Sequence, residues 1–521
     1  MQVYATFWAL LPPIIAIVLA LITKEVYSSL FIGIVVGALF YSGFSFEGTL
    51  NHIFFEEVDD ASYGMISVLS DSSNVGILIF LVILGTLVAL MNNAGGSAAF
   101  GRWATAHIKT RVGAQLATIA LGVLIFVDDY FNCLTVGSVM RPVTDTHNIS
   151  RAKLAYLIDA TAAPVCIIAP ISSWAAAVAA FASKSDANGI ALFISAIPYN
   201  FYALLTILMM ITLAVSKTDF GPMALHERNA LKGDLFTTEN RPYADADAHE
   251  DTSKGKVIDL VLPVVALVVA CVIGLIYTGG FFSGESFVSA FANCSASMGL
   301  VLGSSVALVF AILFFIARRV LSFKQCMACI PEGFKAMVPA ILILTFAWTL
   351  KSMTDSLGAA EYVAGVVHAS AGSFMNFLPA VIFIIACLLS FATGTSWGTF
   401  GILIPIVLEV FGASGTALST ISMSACMAGA VCGDHCSPIS DTTIMSSAGA
   451  QCDHVNHVST QLPYAISVAG ISFITYLICG VLLTIGMANP VWVALPLGIV
   501  LTIVYIMLMK RATSKKYASQ A

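Results

Sequence analysis

The stretch Leu378–Ile406 reads LPAVIFIIACLLSFATGTSWGTFGILIPI. Its first part, 378–392, is an apolar run fit to enter a bilayer. It breaks at Thr393–Gly394–Thr395–Ser396–Trp397–Gly398–Thr399, and a second apolar run follows. Inside hydrocarbon an unwound backbone is tolerated only where protein or a wet cavity satisfies its N–H and C=O groups. The stretch therefore predicts a re-entrant hairpin over 378–410, two half-helices that enter and leave on the same side. A counterpart lies over 113–143, where the apolar run 113–127 meets Asp128–Asp129–Tyr130–Phe131–Asn132.

Composition places the rest of the chain in the same solvent. Of 521 residues, 59% are hydrophobic and 10% charged, against roughly 25% charged in soluble domains. The mean hydropathy is +0.93. The lipid bilayer is thus the expected partner. A net charge of −6 with no basic patch gives no nucleic-acid signature. The first residues carry no Lys or Arg, so Phe7–Thr23 reads as a retained membrane helix rather than a cleaved signal. Further helices are expected near 28–44, 74–91, 152–182, 190–215, 257–277, 298–317, 337–353, 415–445, 462–486 and 490–509. The polar stretch 216–256 divides the chain.

With both hairpins re-entrant, each half has five spans and the last helix is extra. The fold class is then an all-α integral membrane protein, an inverted-repeat secondary transporter of about 11 transmembrane helices plus two re-entrant hairpins. Its parts are a first repeat over 1–215, a linker over 216–256, a second repeat over 257–486, and a C-terminal helix and tail over 487–521. Placing the linker in the cytoplasm puts every one of the 23 Lys and Arg residues inside except Lys184 and Lys351, the asymmetry of the positive-inside rule. A bacterial inner membrane suits this arrangement.

Weak self-similarity supports two halves. An offset of 263 aligns Thr86–Leu87 with Thr349–Leu350, Gly95 with Gly358, Pro142 with Pro405 and the first hairpin tip with the second. An offset of 268 aligns Pro170–Ile171–Ser172 with Pro438–Ile439–Ser440. Five spans is odd, so the second half is inverted. Sites in such proteins lie near the midplane, at paired broken helices.

Four breaks therefore carry the candidate site. They contribute Asp128, Asp129 and Asn132; Thr393, Gly394, Thr395, Ser396 and Thr399; Ser172 and Ser173; and Asp434, Ser437, Ser440, Asp441 and Thr442. A dehydrated sodium ion needs about five or six oxygens from carbonyls, hydroxyls and carboxylates. A single carboxylate that holds Na+ or H+ in turn is the minimal machine for their exchange. Asp434 and His435 form the expected proton path, and Trp174 and Trp397 the expected cavity gates. Asp159 is a fifth acidic residue inside the apolar runs, and such residues are functional by default. No cofactor is implied beyond transported Na+ and H+, and no metal beyond the transported ion. Cys432, Asp434, His435, Cys436, Cys452, His454 and His457 have ligand-type spacing for zinc, but Asp434 and His435 are already accounted for by ion transport.

Gly394–Ile406 (GTSWGTFGILIPI) and Cys432–Thr443 (CGDHCSPISDTT) resemble the signature segments of the NhaC-type sodium/proton antiporter family, within the ion transporter superfamily. The resemblance implies inverted repeats with re-entrant hairpins, sodium coupling and a homodimer of scaffold and transport domains. By position it points to Thr395, Ser396, Asp434, Ser437 and Asp441. The first tip departs from the Ser-Asn-Thr triplet of dicarboxylate-carrying relatives, which favours a cation as cargo. Members of the family also carry organic acids or amino acids, so sodium- or proton-coupled transport of such a solute is the main alternative. Against it, no buried Lys or Arg is read mid-membrane near the hairpins; Arg141 and Arg151 lie at the inner edge. An intramembrane aspartyl protease is a remote alternative, and enzyme activity is not expected.

Overall fold

A computed structural model describes the chain except residues 1–2, 24, 59–60, 127–128, 170–173, 175–188, 240, 244–254, 360, 363–364, 366–374, 412–415 and 519–521. The protein is helical. After α1 (Leu11–Thr23) and α2 (Val26–Tyr41) comes a small cap of α3 (Phe46–Phe54), an antiparallel pair β1 (Glu56–Val58) and β2 (Ala61–Tyr63), and α4 (Met65–Ser70). The first half continues through α5 (Ser72–Asn93), α6 (Gly96–His107), α7 (Arg111–Leu124), α8 (Asp129–Thr146), α9 (Arg151–Asp159), α10 (Ala163–Cys166), α11 (Gly189–Ala196) and α12 (Phe201–Ser216). The linker contributes α13 (Pro222–Ala230). The second half has α14 (Ile258–Thr278), α15 (Phe287–Ala292), α16 (Ala296–Ala317), α17 (Phe323–Ser356), α18 (Leu378–Thr393), α19 (Ser396–Phe411), α20 (Ala417–Cys436), α21 (Asp441–Ala450) and α22 (His454–Thr484), then α23 (Val491–Ala518).

Among the described residues, 6 helices are long and apolar enough to cross a bilayer, or up to 8 if two bent pairs count as single spans. The reading of about 11 spans also counted α1 and α2, which are apolar but shorter, and the run 152–182, part of which lies outside the described residues. One bent pair is α17, which turns by 45° between Val338 and Ile341. Its first two turns, and those of α22, precede the apolar runs that mark them in sequence.

Packing is inverted relative to a soluble protein. Every residue of α20 from Ser419 to Cys436 is buried, although the helix is rich in Ser, Ala, Cys and Gly. The strongly apolar α23 is only 22% buried over its most apolar window. Lipid solvates apolar side chains, whereas polar ones and close-packed backbones need protein partners. Gly429 and Gly433, one turn apart, let α20 lie directly on α18, where a Cβ would run into the carbonyls of Phe383 and Cys387.

Three backbone breaks meet in this interior. Between α18 and α19 the chain turns at Gly394 (φ +67°), which presses on the Ile439 carbonyl so closely that a Cβ would sit 2.6 Å from it. The turn is a reversal. Ser396 bonds to Ala430 and Asp434, level with the Gly433–Cys387 contact. Had α19 continued the line of α18, Ser396 would lie about 13 Å beyond Cys387. Between α7 and α8, Asn132 Nδ2 reaches the Gly122 carbonyl at 2.7 Å, a pair that a continuous helix would separate by about 15 Å. The third break, Ser437–Ser440, separates α20 from α21. Pro438 has no N–H to continue a helix, and Ser440 starts the next one by accepting from Thr443 N at 3.4 Å.

Candidate ion-binding site

Asp434 sits in the last turn of α20, 1% exposed. Its Oδ2 accepts from Ser396 Oγ at 2.9 Å and from Thr442 Oγ1 at 3.2 Å. One carboxylate oxygen thus joins the hairpin α18–α19 to the broken helix α20–α21. Oδ1 is buried and has no hydrogen-bond partner among the described residues. Two helix N-termini, those of α19 and α21, approach this carboxylate, and their partial positive charge offsets its own.

Hydroxyls and carbonyls crowd around it. Ser437 Oγ donates to the Phe391 carbonyl at 2.7 Å, and Ser440 Oγ lies 3.0 Å from Thr442 Oγ1. Thr393 and Thr399 turn their hydroxyls back to the carbonyls of Leu389 (2.9 Å) and Thr395 (3.0 Å). Asp441, at the start of α21, accepts from Tyr130 OH at 2.6 Å and from Thr442 N at 2.9 Å. The Tyr130 bond ties the first hairpin to the second broken helix, and nothing in the sequence marked it.

At the first tip Asp129 is fully buried, with Oδ1 3.1 Å from Tyr130 N. Asn132 Nδ2 bonds the carbonyls of Gly122, Ile125 (2.8 Å) and Thr161 (3.2 Å). Its Oδ1 is buried without a hydrogen-bond partner among the described residues, as is the Thr135 hydroxyl one turn on. Asp128, Ser172 and Ser173 lie outside the described residues. Trp174 and Trp397 meet, ring centroids 5.4 Å apart. His435 Nδ1 pairs with Tyr202 OH at 2.7 Å. Of the other residues with ligand-type spacing, His454 spends both nitrogens on the Pro438 carbonyl (2.7 Å) and Ser447 Oγ (3.1 Å).

A cavity of about 390 Å³ opens on the side away from the linker. Its wall carries Thr393, Gly394, Thr395, Tyr130 and Asp441 at the inner end and Tyr63, Asp71 and Asp355 toward the mouth. It also carries Lys351, a partly exposed residue that the sequence reading, concerned with buried cations, placed outside without relating it to the hairpins. The long α17 brings Lys351 beside Gly398, its Cε 3.7 Å from where a Cβ would stand. Lys351 Nζ pairs with Asp355 at 2.6 Å, both partly exposed. A water molecule occupies about 30 Å³, so the cavity is far larger than a bare cation requires.

Residues 155–481 match the model described as the Na+/H+ antiporter family. An uncharacterized protein of Haemophilus influenzae is 38% identical over 488 residues, 91% of each chain. The malate-2H(+)/Na(+)-lactate antiporter of Bacillus subtilis is 29% identical over 164 residues, 30% of this chain and 33% of that one. The arginine/ornithine antiporter ArcD of Halobacterium salinarum is 36% identical over 112 residues, 21% and 23% of the two chains. Among solved structures, the YdaH transporter of Alcanivorax borkumensis aligns over 87% of this chain and 98% of that one, with 12% identity and a TM-score of 0.29.

Proposed function

Because the chain belongs to the Na+/H+ antiporter family and is a multi-pass membrane transporter rather than an enzyme, we propose that it exchanges Na+ for H+ by alternating access. The membrane on this reading is a bacterial cytoplasmic membrane, with the linker inside. The observation that carries the proposal is the Asp434 carboxylate: Oδ2 is held by hydroxyls from a hairpin and a broken helix, and Oδ1 is buried and open. An open carboxylate oxygen inside a membrane is costly unless a cation or a proton occupies it. Occupation by one excludes the other, which is the coupling an exchanger requires. Asp441, Ser437, Ser440, Thr442 and the Thr393–Ser396 tip are the proposed remaining shell.

An inverted repeat accounts for two distant contacts at once. Cys133 lies against the Thr442 carbonyl at 3.6 Å, and Trp397 against Trp174. Under the offsets of 263 and 268 these are the same contact to within one residue, which supports motion of hairpins and broken helices as a unit against a scaffold. A homodimer built on that scaffold belongs to the same reading. The test is a proteoliposome assay with an imposed sodium gradient and a trapped pH dye. Sodium-driven proton movement is expected, and its absence refutes the proposal.

A second reading is favoured by Lys351. A cavity with one amine, several carboxylates and ample volume suits an organic acid or amino acid, whose carboxylate needs a counter-charge. The two named antiporters exchange such solutes. Adding labelled amino acids and carboxylates to the same vesicles separates the readings: uptake coupled to the sodium gradient assigns an organic cargo.

A further inference from the structure

Given sodium–proton exchange as proposed above, we infer that Asp159 and His457 form a second, separate proton site on the linker side of Asp434. Asp159 ends α9 and His457 lies in the first turn of α22; they are 1% and 0% exposed. Asp159 Oδ2 accepts from His457 Nε2 at 3.1 Å and from Gln461 Nε2 at 2.7 Å. The same Gln461 amide donates to the His435 carbonyl, so one side chain joins the pair to the residue that follows Asp434.

A carboxylate only accepts, so the imidazole hydrogen sits on Nε2 and Nδ1 is left with a lone pair. Nδ1 is buried and has no hydrogen-bond partner among the described residues, and neither has Gln461 Oε1. A structural histidine normally satisfies both nitrogens. With His457 neutral the pair carries one buried negative charge. A proton arriving on Nδ1 gives an imidazolium that neutralises Asp159 while Nε2–H stays on the carboxylate, and departure of the same proton restores the start. An Arg in this place would fix the neutral state permanently; a histidine makes it reversible.

The surroundings supply no other basic partner at ion-pair distance among the described residues. Facing groups are His454 on α22, Asp434 and His435 on α20, Asp441 on α21, and Cys133 on α8. Toward the linker, Lys153 is spent on Asp219 at 2.6 Å, and Arg111 of α7 on Glu227 of α13 at 2.6 Å, beside His226. The linker lies close: Asn456, next to His457, bonds Thr238 at 2.6 Å. The cavity on the other side reaches Asp441, whereas its wall includes neither member of the pair.

The test compares wild type, H457Q and D159N in proteoliposomes by two readouts: sodium-driven proton movement, and isotopic Na+/Na+ exchange at equal pH on both sides. For both variants proton movement is expected to fall at least about tenfold while sodium self-exchange persists. H457Q keeps a donor for Asp159 and so guards against simple misfolding. Unchanged proton movement in H457Q overturns the inference, as does parallel loss of both readouts in the two variants. Wild-type vesicles without sodium-driven proton movement sink the exchange reading itself, and this inference with it.

Discussion

Replacing Asp434 with Asn keeps shape and hydrogen-bonding size and removes the charge. A sodium ion about 2.4 Å from a carboxylate oxygen gains about 7 kcal/mol at an effective dielectric near 20. An amide oxygen keeping half of that loses about 3 to 4 kcal/mol, a factor of roughly 150 to 700 in affinity. The amide also cannot take up the proton, so exchange in D434N is expected to fall to the level of empty vesicles. Ser396 and Thr442 each contribute one bond to the charged oxygen, worth about 1.5–3 kcal/mol. S396A and T442A should therefore lower sodium-dependent efficiency about ten- to hundredfold. The three side chains act on one oxygen, so the losses are non-additive: in the D434N background S396A changes nothing further, measured by isotopic sodium binding to purified protein. D434N exchanging within tenfold of wild type, or S396A equally harmful in both backgrounds, refutes the assignment.

Gly433→Ala places a methyl against the Cys387 carbonyl and should cost about 1–3 kcal/mol, read as a lower apparent melting temperature in detergent; Gly470→Ala, inside α22 with nothing within 4 Å of its Cβ, should not lower it and should raise it slightly through helix propensity. K351Q leaves sodium-driven proton movement within about twofold if the cargo is the cation alone, but abolishes uptake of a labelled organic acid if Lys351 holds its carboxylate. In the cap, His52 bonds Glu56 and Ser356, both at 2.8 Å; burial holds its pKa below the usual value, with Glu56 opposing. The unfolded cap thus binds the proton more readily, so His52 contributes fully above about pH 6.5 and progressively less as pH falls below it. Protection factors over residues 45–64, which correct for the slower intrinsic exchange at low pH, should fall on acidification in wild type, and H52Q should remove that fall.

What could be read in advance was what is local. Pro438 and the run Thr393–Thr399 announce breaks because each disturbs an apolar run at a fixed place in the chain. The glycines at 429 and 433 lie one turn apart in α20, but only the fold says that α18 is what they admit. Residues that meet across the two halves of the chain were beyond reach. Tyr130 finds Asp441, and Asp159 finds His457, across about three hundred residues, and no periodicity links them. Lys351 was placed on the side away from the linker, but its nearness to the hairpin tip was out of reach for a related reason. Its position at the end of an apolar run marked it as a boundary residue, and positive-inside counting put it on the far side. Neither indicates that α17 bends by 45° and that its far end lines the cavity above the hairpin tip.

Asp441 and Asp434 also differ in a way the motif alone does not suggest. Both belong to one short segment, yet Asp441 faces the cavity with its Oδ2 taken by Tyr130, while Asp434 lies behind it with Oδ1 open. Under the proposed exchange, a cation entering from the cavity would meet Asp441 first and would have to displace or share the Tyr130 hydroxyl before it reached Asp434. Because Tyr130 starts α8 and Asp441 starts α21, that displacement loosens the first hairpin from the second broken helix as the ion moves inward. On that reading binding and the release of a contact between the two halves would be one event, the coupling between occupancy and motion that alternating access needs. Y130F removes the contact while keeping the ring. It should let the two elements separate without sodium, seen as sodium-independent labelling of the native Cys133, which is buried between α8 and α21; labelling that still requires sodium would break this link between the ion and the movement.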